Sequence, residues 1–252
     1  MTLVVAHRGA SSLAPENTME AFRLGVESGA DAIELDVHLT ADGQLAVIHD
    51  DTLERTTDGT GAVASLTMDE IRRADAGARF ARADDAGLPF AGKGLKVPTL
   101  PEVLAWLPER TGLVVEIKAR AAADAVVEAV QADAVQSDGR LAVISFHEAA
   151  IERVRELDQN IKTGYLLVPT QEIPPAMAWA AERGHAGVHP WDGDLGIDPL
   201  SIVAQAQVLK LQLGCYVVND PDRMRFLAAC GLWGFVTDVP DVAREALGGA
   251  PA

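Results

Sequence analysis

Two histidines, three carboxylates and two cations stand in short segments of strand-forming character. His7-Arg8-Gly9 ends the first such run, Glu34 and Asp36 lie in the second, Glu116 and Lys118 in another, and His49-Asp50 closes the run 44–50. Residues two apart on a strand point to the same face, so Glu34 and Asp36 share one, and Glu116 with Lys118 repeats the arrangement. Three carboxylates then converge. Anions so close raise each other's pKa unless a cation neutralises them. Oxygen-only ligands favour a hard ion, Mg²⁺ or Ca²⁺, over zinc. The plainer alternative is a salt-bridge layer in which the same acids pair with Arg8 and Lys118.

A histidine taken singly is as readily a satisfied core residue as a catalyst, but two flanking a carboxylate cluster point to acid and base work. Arg8 and Lys118 supply positive charge, and a planar guanidinium suits bidentate binding of phosphate oxygens. His38, His147, His185 and His189 have weaker claims; His189, ending the sixth barrel strand, is a candidate to line the pocket. Phe146 and Tyr216 are candidates to contact an alcohol group, although aromatic residues at strand ends are more often packing.

Positioning these groups requires elements. β-Branched runs at 3–7, 32–37, 113–118, 141–146, 163–168, 186–190, 214–219 and 234–238 alternate with helical patterns at 18–27, 100–107, 122–135, 148–157, 174–182, 199–208, 220–229 and 240–247. Eight βα units predict an α/β fold, a TIM (β/α)8 barrel, whose chemistry sits at the C-terminal ends of the strands. The run 44–49 follows the second strand after only Ala41-Asp42-Gly43, too short for a parallel crossover, so it is expected to fold back as an antiparallel hairpin arm. Residues 50–97, with one short helical pattern at 67–74, form a small inserted cap segment after strand 2. The 252 residues are expected to form a single barrel domain, with a frayed Gly-Gly-Ala-Pro-Ala tail.

Composition bounds the partners. Lys plus Arg total 21 against 37 Asp plus Glu, a formal charge of −16 that disfavours nucleic acid and anionic lipid surfaces. An anionic substrate therefore needs local positive charge. The start has no basic n-region ahead of its apolar run, and no stretch reaches transmembrane length, so no signal peptide and no stable membrane association are expected. The only cysteines, Cys215 and Cys230, are expected to be free thiols in a cytoplasmic protein.

His7-Arg8-Gly9-Ala10, Ala14-Pro15-Glu16-Asn17-Thr18, Gly29-Ala30-Asp31, Glu34-Leu35-Asp36-Val37, Asp42-Gly43 and His49-Asp50 together resemble the glycerophosphodiester phosphodiesterases. The resemblance continues through Asp51-Thr52-Leu53-Glu54-Arg55-Thr56-Thr57, Pro98-Thr99-Leu100, Glu116-Ile117-Lys118, Ser145-Phe146 and Thr237-Asp238 and so spans nearly the whole chain. It implies metal-dependent hydrolysis of a small-molecule glycerophosphodiester to glycerol 3-phosphate and an alcohol. His7 and His49 would be the general acid and base, and Glu34, Asp36 and Glu116 the ligands of a divalent cation. Arg8 and Lys118 would hold the phosphate, with Glu16 orienting the first loop. Two departures stand out: Tyr216-Val217-Val218-Asn219 where the family usually has Trp-Thr-Val-Asn, and Pro101 where a glutamate is common. The first alters the aromatic wall near the substrate and bears on preference for the alcohol. The alternatives are a lysophospholipase D or phospholipase C-like lipid phosphodiesterase and, from another class, a catalytically inactive barrel that senses glycerophosphodiesters.

Overall fold

The computed structural model describes residues 2–82, 87–132 and 139–248. Its elements run in the order β1 (Leu3–Ala6), α1 (Met19–Glu27), β2 (Ala32–Leu39), β3 (Leu45–Val47), α2 (Met68–Ile71), α3 (Leu100–Trp106), β4 (Gly112–Ile117), α4 (Ala123–Gln131), β5 (Leu141–Ser145) and α5 (Glu148–Leu157). They continue with β6 (Lys162–Leu166), α6 (Ile173–Glu182), β7 (Gly187–His189), α7 (Asp192–Leu195), α8 (Leu200–Val208), β8 (Gln212–Cys215), α9 (Pro221–Ala229), β9 (Gly234–Thr237) and α10 (Pro240–Ala246).

Eight strands pair in parallel around a ring. The order β2, β4, β5, β6, β7, β8, β9 is closed by β1, which pairs with both β9 and β2. This is the expected (β/α)8 barrel. Period-two alternation divides each strand between two surroundings. Ile33, Leu35 and Val37 of β2, with Leu113, Val115 and Ile117 of β4, face outward into a core completed by Phe22, Leu100, Val103 and Val126 from the helices. The intervening residues, Glu34, Asp36 and Glu116, therefore face the barrel axis.

The hairpin is also as expected, since β3 pairs antiparallel to the end of β2 with Val47 opposite Val37 and Leu45 opposite Leu39. Thr40 Oγ1 accepts from the Gln44 amide and donates to Asp42 Oδ1, and Gly43 supplies φ +77° at the turn. Beyond it, Leu53, Val63, Met68, Ile71, Ala76 and Val97 bury a small core of their own against Ala46 and Ile48 of the arm. The helical pattern at 67–74 shortens to α2. The Thr67–Glu70 capping box starts it, but Asp75 then accepts from the Gly77 and Gly92 amides and draws the chain into a loop.

Several barrel strands end a residue or more before the expected limits, so His7, Lys118 and Phe146 each stand just past a strand. The seventh barrel strand begins and ends earlier than expected, with β8 at 212–215 rather than 214–219. Helix α7 has four residues and too little periodicity to be read from the chain. The expected helix 122–135 is seen as α4, its last residues lying outside the described ones, as does the tail beyond Gly248.

His189 does not stand at the rim. Its ring lies within the barrel, where it lines an internal cavity of about 40 Å³ with Val5, Ile144, Leu166 and Phe235. Glycines make the room: a Cβ at Gly164 would sit 2.5 Å from His189 Nε2, and one at Gly214 2.7 Å from Nδ1. Burial drives its pKa down to about 4.

Candidate active site

Where β1 ends, the chain turns through two left-handed residues, Arg8 at φ +55° and Gly9 at φ +86°. Gly9 is required there because a Cβ would come within 2.5 Å of the Ala21 backbone. The turn aims the Arg8 amide at Glu34 Oε2, 3.0 Å away. His7 continues the β1–β9 ladder through its amide to the Thr237 carbonyl, and its Nδ1 lies 2.6 Å from Asp238 Oδ1. Asp238 also accepts from Ser11 Oγ at 3.0 Å and Asn219 Nδ2 at 2.7 Å. Burial opposes ionisation of Asp238, yet the bonds from His7, Asn219 and Ser11 outweigh it and hold its pKa at about 2. An ionised carboxylate can only accept, so Nδ1 of His7 carries a proton and, in the neutral ring, Nε2 holds the lone pair.

His49 reaches the same rim from the arm, anchored by the Ile48 amide on the Asp36 carbonyl (3.0 Å) and by its own carbonyl 2.9 Å from His38 Nε2. Its Nδ1 is 2.7 Å from Asp50 Oδ1. The hydrogen bonds of Arg55 hold the Asp50 carboxyl well below the usual range, so this histidine too presents an unprotonated Nε2 when neutral. Among the described residues no hydrogen bond engages Nε2 of either ring. Burial, with help from Lys118 and Arg8, shifts His49 further toward the neutral form against the pull of Asp36.

Glu34, Asp36 and Glu116 are all buried, and one oxygen from each lies within 4.8 Å of the others. Lys118 Nζ bridges Glu116 Oε1 at 2.6 Å and Asp36 Oδ1 at 2.8 Å, while Arg8 Nε approaches Asp36 Oδ2 at 3.3 Å. The salt bridges of the plainer reading are thus present, but they do not exhaust the carboxylates. Lys118 is close to Asp36 Oδ1 but off hydrogen-bonding alignment, leaving that oxygen buried without a hydrogen bond. Burial, then Asp36 and Glu116, push Glu34 well above the carboxylate range. Burial, then Asp36, take Glu116 up to about 7. Burial acts on Asp36 in the same direction, but Lys118, Arg8 and His49 hold it at about 2. An all-oxygen donor set with excess negative charge and an unbonded buried oxygen fits a divalent cation, whose charge would reverse the upward shifts.

The remaining expected residues fall around this centre. Glu16 binds Arg8 Nη1 at 2.7 Å and also meets Arg55. Phe146 and Tyr216 meet edge to face, ring centres 5.7 Å apart. The Tyr216 hydroxyl donates to the Leu167 carbonyl, and burial, then Glu116 and Asp194, push its pKa to about 12. His147 occupies the N-cap position of α5 without a side-chain cap bond, and His185 binds Thr163. Asn17, Asp50, Arg55, Asn219 and Asp238 were missed as site residues. Asn17 holds Asp36 from both sides, donating to Oδ2 at 2.7 Å and accepting from its amide. The signal for Asn17 and Asp50 lay in their adjacency to Glu16 and His49, and for Asp238 in its place ending the last strand.

Residues 7–242 match the model of the glycerophosphoryl diester phosphodiesterase family. A glycerophosphodiester phosphodiesterase of Caldanaerobacter subterraneus subsp. tengcongensis is 35% identical over 244 residues, covering 95% of each chain. The crystal structure of a glycerophosphodiester phosphodiesterase from Agrobacterium tumefaciens superposes with a TM-score of 0.82 at 30% identity, over 97% of this chain and 100% of that one. An Oleispira antarctica phosphodiesterase, solved with the product sn-glycerol-3-phosphate, superposes with a TM-score of 0.81 at 26% identity, over 99% and 98% of the two chains. The chain therefore belongs to the glycerophosphoryl diester phosphodiesterase family and is a phosphoric diester hydrolase.

Proposed function

We propose that the protein hydrolyses glycerophosphodiesters to glycerol 3-phosphate and an alcohol, with His7 and His49 as the acid–base pair. The observation that carries this reading is the buried triad Glu34, Asp36 and Glu116 beside two imidazoles whose Nε2 atoms are both unengaged. A diester resists attack because it is anionic and its alkoxide leaves poorly, so a catalyst must supply positive charge and a proton. A divalent cation held by the three carboxylates, Mg²⁺ or Ca²⁺, would supply Lewis acidity at the phosphate. Arg8, through Nη2, which no hydrogen bond engages among the described residues, and Lys118, through an N–H not given to Glu116, are suited to hold the nonbridging oxygens. Nε2 of one histidine takes the proton of the attacking water or neighbouring glycerol hydroxyl, and Nε2 of the other, protonated, delivers a proton to the departing alcohol. Phe146 and Tyr216 would flank that alcohol. The described residues of the segment 50–97, those at 83–86 lying outside them, act as a cap contributing Asp50 and Arg55 to the rim, and the two free thiols favour the cytoplasm.

A second reading, hydrolysis of lysophospholipid-type diesters, draws support from Val168, Trp191, Ile197 and Leu200. These are exposed large apolar side chains in the segments that follow β6 and β7, Leu200 opening α8, at the same end of the barrel as the site. No helix among the described residues is long and apolar enough to cross a membrane. Incubating the purified protein with glycerophosphocholine beside lysophosphatidylcholine, and measuring glycerol 3-phosphate and lysophosphatidate, separates the two. Release of glycerol 3-phosphate at the higher kcat/KM is expected; faster release of lysophosphatidate would replace the first reading with the second.

A further inference from the structure

Arg55 touches neither the acidic cluster nor an imidazole, yet its guanidinium joins the supports of two groups given roles above. Its Nε and Nη2 bind Asp50 at 2.7 and 2.9 Å. Its Nη1 and Nη2 bind Glu16 at 2.7 and 2.8 Å. One planar cation thus holds two carboxylates bidentately, the geometry an arginine fork provides and an ammonium does not. Beyond each carboxylate stands a residue of the site: Asp50 Oδ1 bonds His49 Nδ1 at 2.7 Å, and Glu16 Oε1 accepts from Arg8 Nη1 at 2.7 Å. The side chain of Arg55 is 46% exposed. A half-exposed ion pair adds at most modestly to stability even when it is bidentate, whereas the two carboxylates that Arg55 holds are the ones that orient His49 and Arg8.

We propose that Arg55 is a positioning residue that fixes the imidazole of His49 and the guanidinium of Arg8 relative to one another, an inference that rests on the acid–base and phosphate-binding roles given above. Without it, Asp50 keeps one partner and is free to turn about its χ angles, so the Nδ1 bond no longer sets a single ring orientation. Glu16 and Asp50 then also face each other with no cation between them.

The test compares Arg55→Met and Arg55→Lys with the unaltered full chain in three measurements. These are kcat and KM on glycerophosphocholine with Mg²⁺ or Ca²⁺ added, the melting temperature, and the ¹⁵N shifts of the His49 ring in protein without added metal. Arg55→Met is expected to lower kcat by about 10–100-fold, the usual effect of removing a group that orients a site residue. The melting temperature should move by no more than about 4 °C. The two ring nitrogens of His49, well separated in shift when only Nδ1 is protonated, should draw together as tautomers mix. Arg55→Lys should recover only part of kcat. Wild-type kcat in Arg55→Met, full recovery in Arg55→Lys, or an unchanged His49 spectrum would each overturn the proposal. Because the spectra require no turnover, a protein inactive on glycerophosphocholine would refute the proposed function while the spectra still decide whether Arg55 sets the His49 ring.

Discussion

Nδ1 of His7 and Nδ1 of His49 are each taken by an aspartate, so the two neutral rings reach the rim as the same tautomer with the same nitrogen, Nε2, turned away from its support. Positioned proton transfer is typically worth about 10²–10⁴ in rate. His7→Ala and His49→Ala are therefore each expected to lower kcat by at least about a hundredfold, with unchanged far-ultraviolet circular dichroism. Wild-type turnover in either variant would remove that histidine from the mechanism. Strand period two made the triad legible in the chain, because it dictates facing whatever the loops do. Asp238 was not legible as the support of His7, since the two meet across 231 residues and only barrel closure brings them together. Arg55 stood in a segment that carries the resemblance, but its role was invisible for a related reason: its worth lies in the angle at which a loop delivers it, and composition carries no angle.

The barrel strands divide chemistry from stability between their two faces, and this division is testable. Ile33 lies between Ala32 and Glu34 on β2, fully buried on the outward face in the helix-covered core. Ile33→Ala should cost about 2–5 kcal/mol of unfolding free energy by leaving a cavity. At a temperature where the variant remains folded, its kcat should stay within about threefold of wild type, since the inward face is untouched. Urea denaturation alongside steady-state kinetics checks both, and a hundredfold loss of kcat in a folded variant would show that the faces are not independent. The eight βα units and the β3 hairpin were readable from alternation and from Asp42-Gly43. The short helices were not, because α2 and α7 each span about one turn, α2 running into the loop that Asp75 holds and α7 ending at Gly196 with φ +61°.

The molecule as a whole holds two neutral imidazoles outside the site, His185 buried and His189 lining the barrel cavity. His185 binds Thr163 and stacks on Trp179, and His189 fills the space its glycines leave; burial takes both to about 4. An unfolded histidine titrates near 6.5, so below that pH the unfolded chain takes up protons the folded one refuses. The folded pKa values are depressed, so this contribution is complete above about 6.5 and is lost as pH falls toward 4. By pH 4.5 the loss from His189 should be on the order of 2 kcal/mol. Urea midpoints from pH 7.5 to 4.5 should decline less steeply in His189→Asn than in wild type; parallel declines would mean that His189 is protonated inside the barrel.

The most direct test of the account is hydrolysis of glycerophosphocholine by protein stripped with chelator and then titrated with Mg²⁺ or Ca²⁺. Glycerol 3-phosphate release is expected to vanish in chelator and to return with one of the two ions. Asp36→Asn, one carboxylate short, should need a higher ion concentration to reach half its rate. Turnover that proceeds unchanged in chelator would mean that Glu34, Asp36 and Glu116 serve only Arg8 and Lys118, and that the proposed catalyst is not the one this barrel uses.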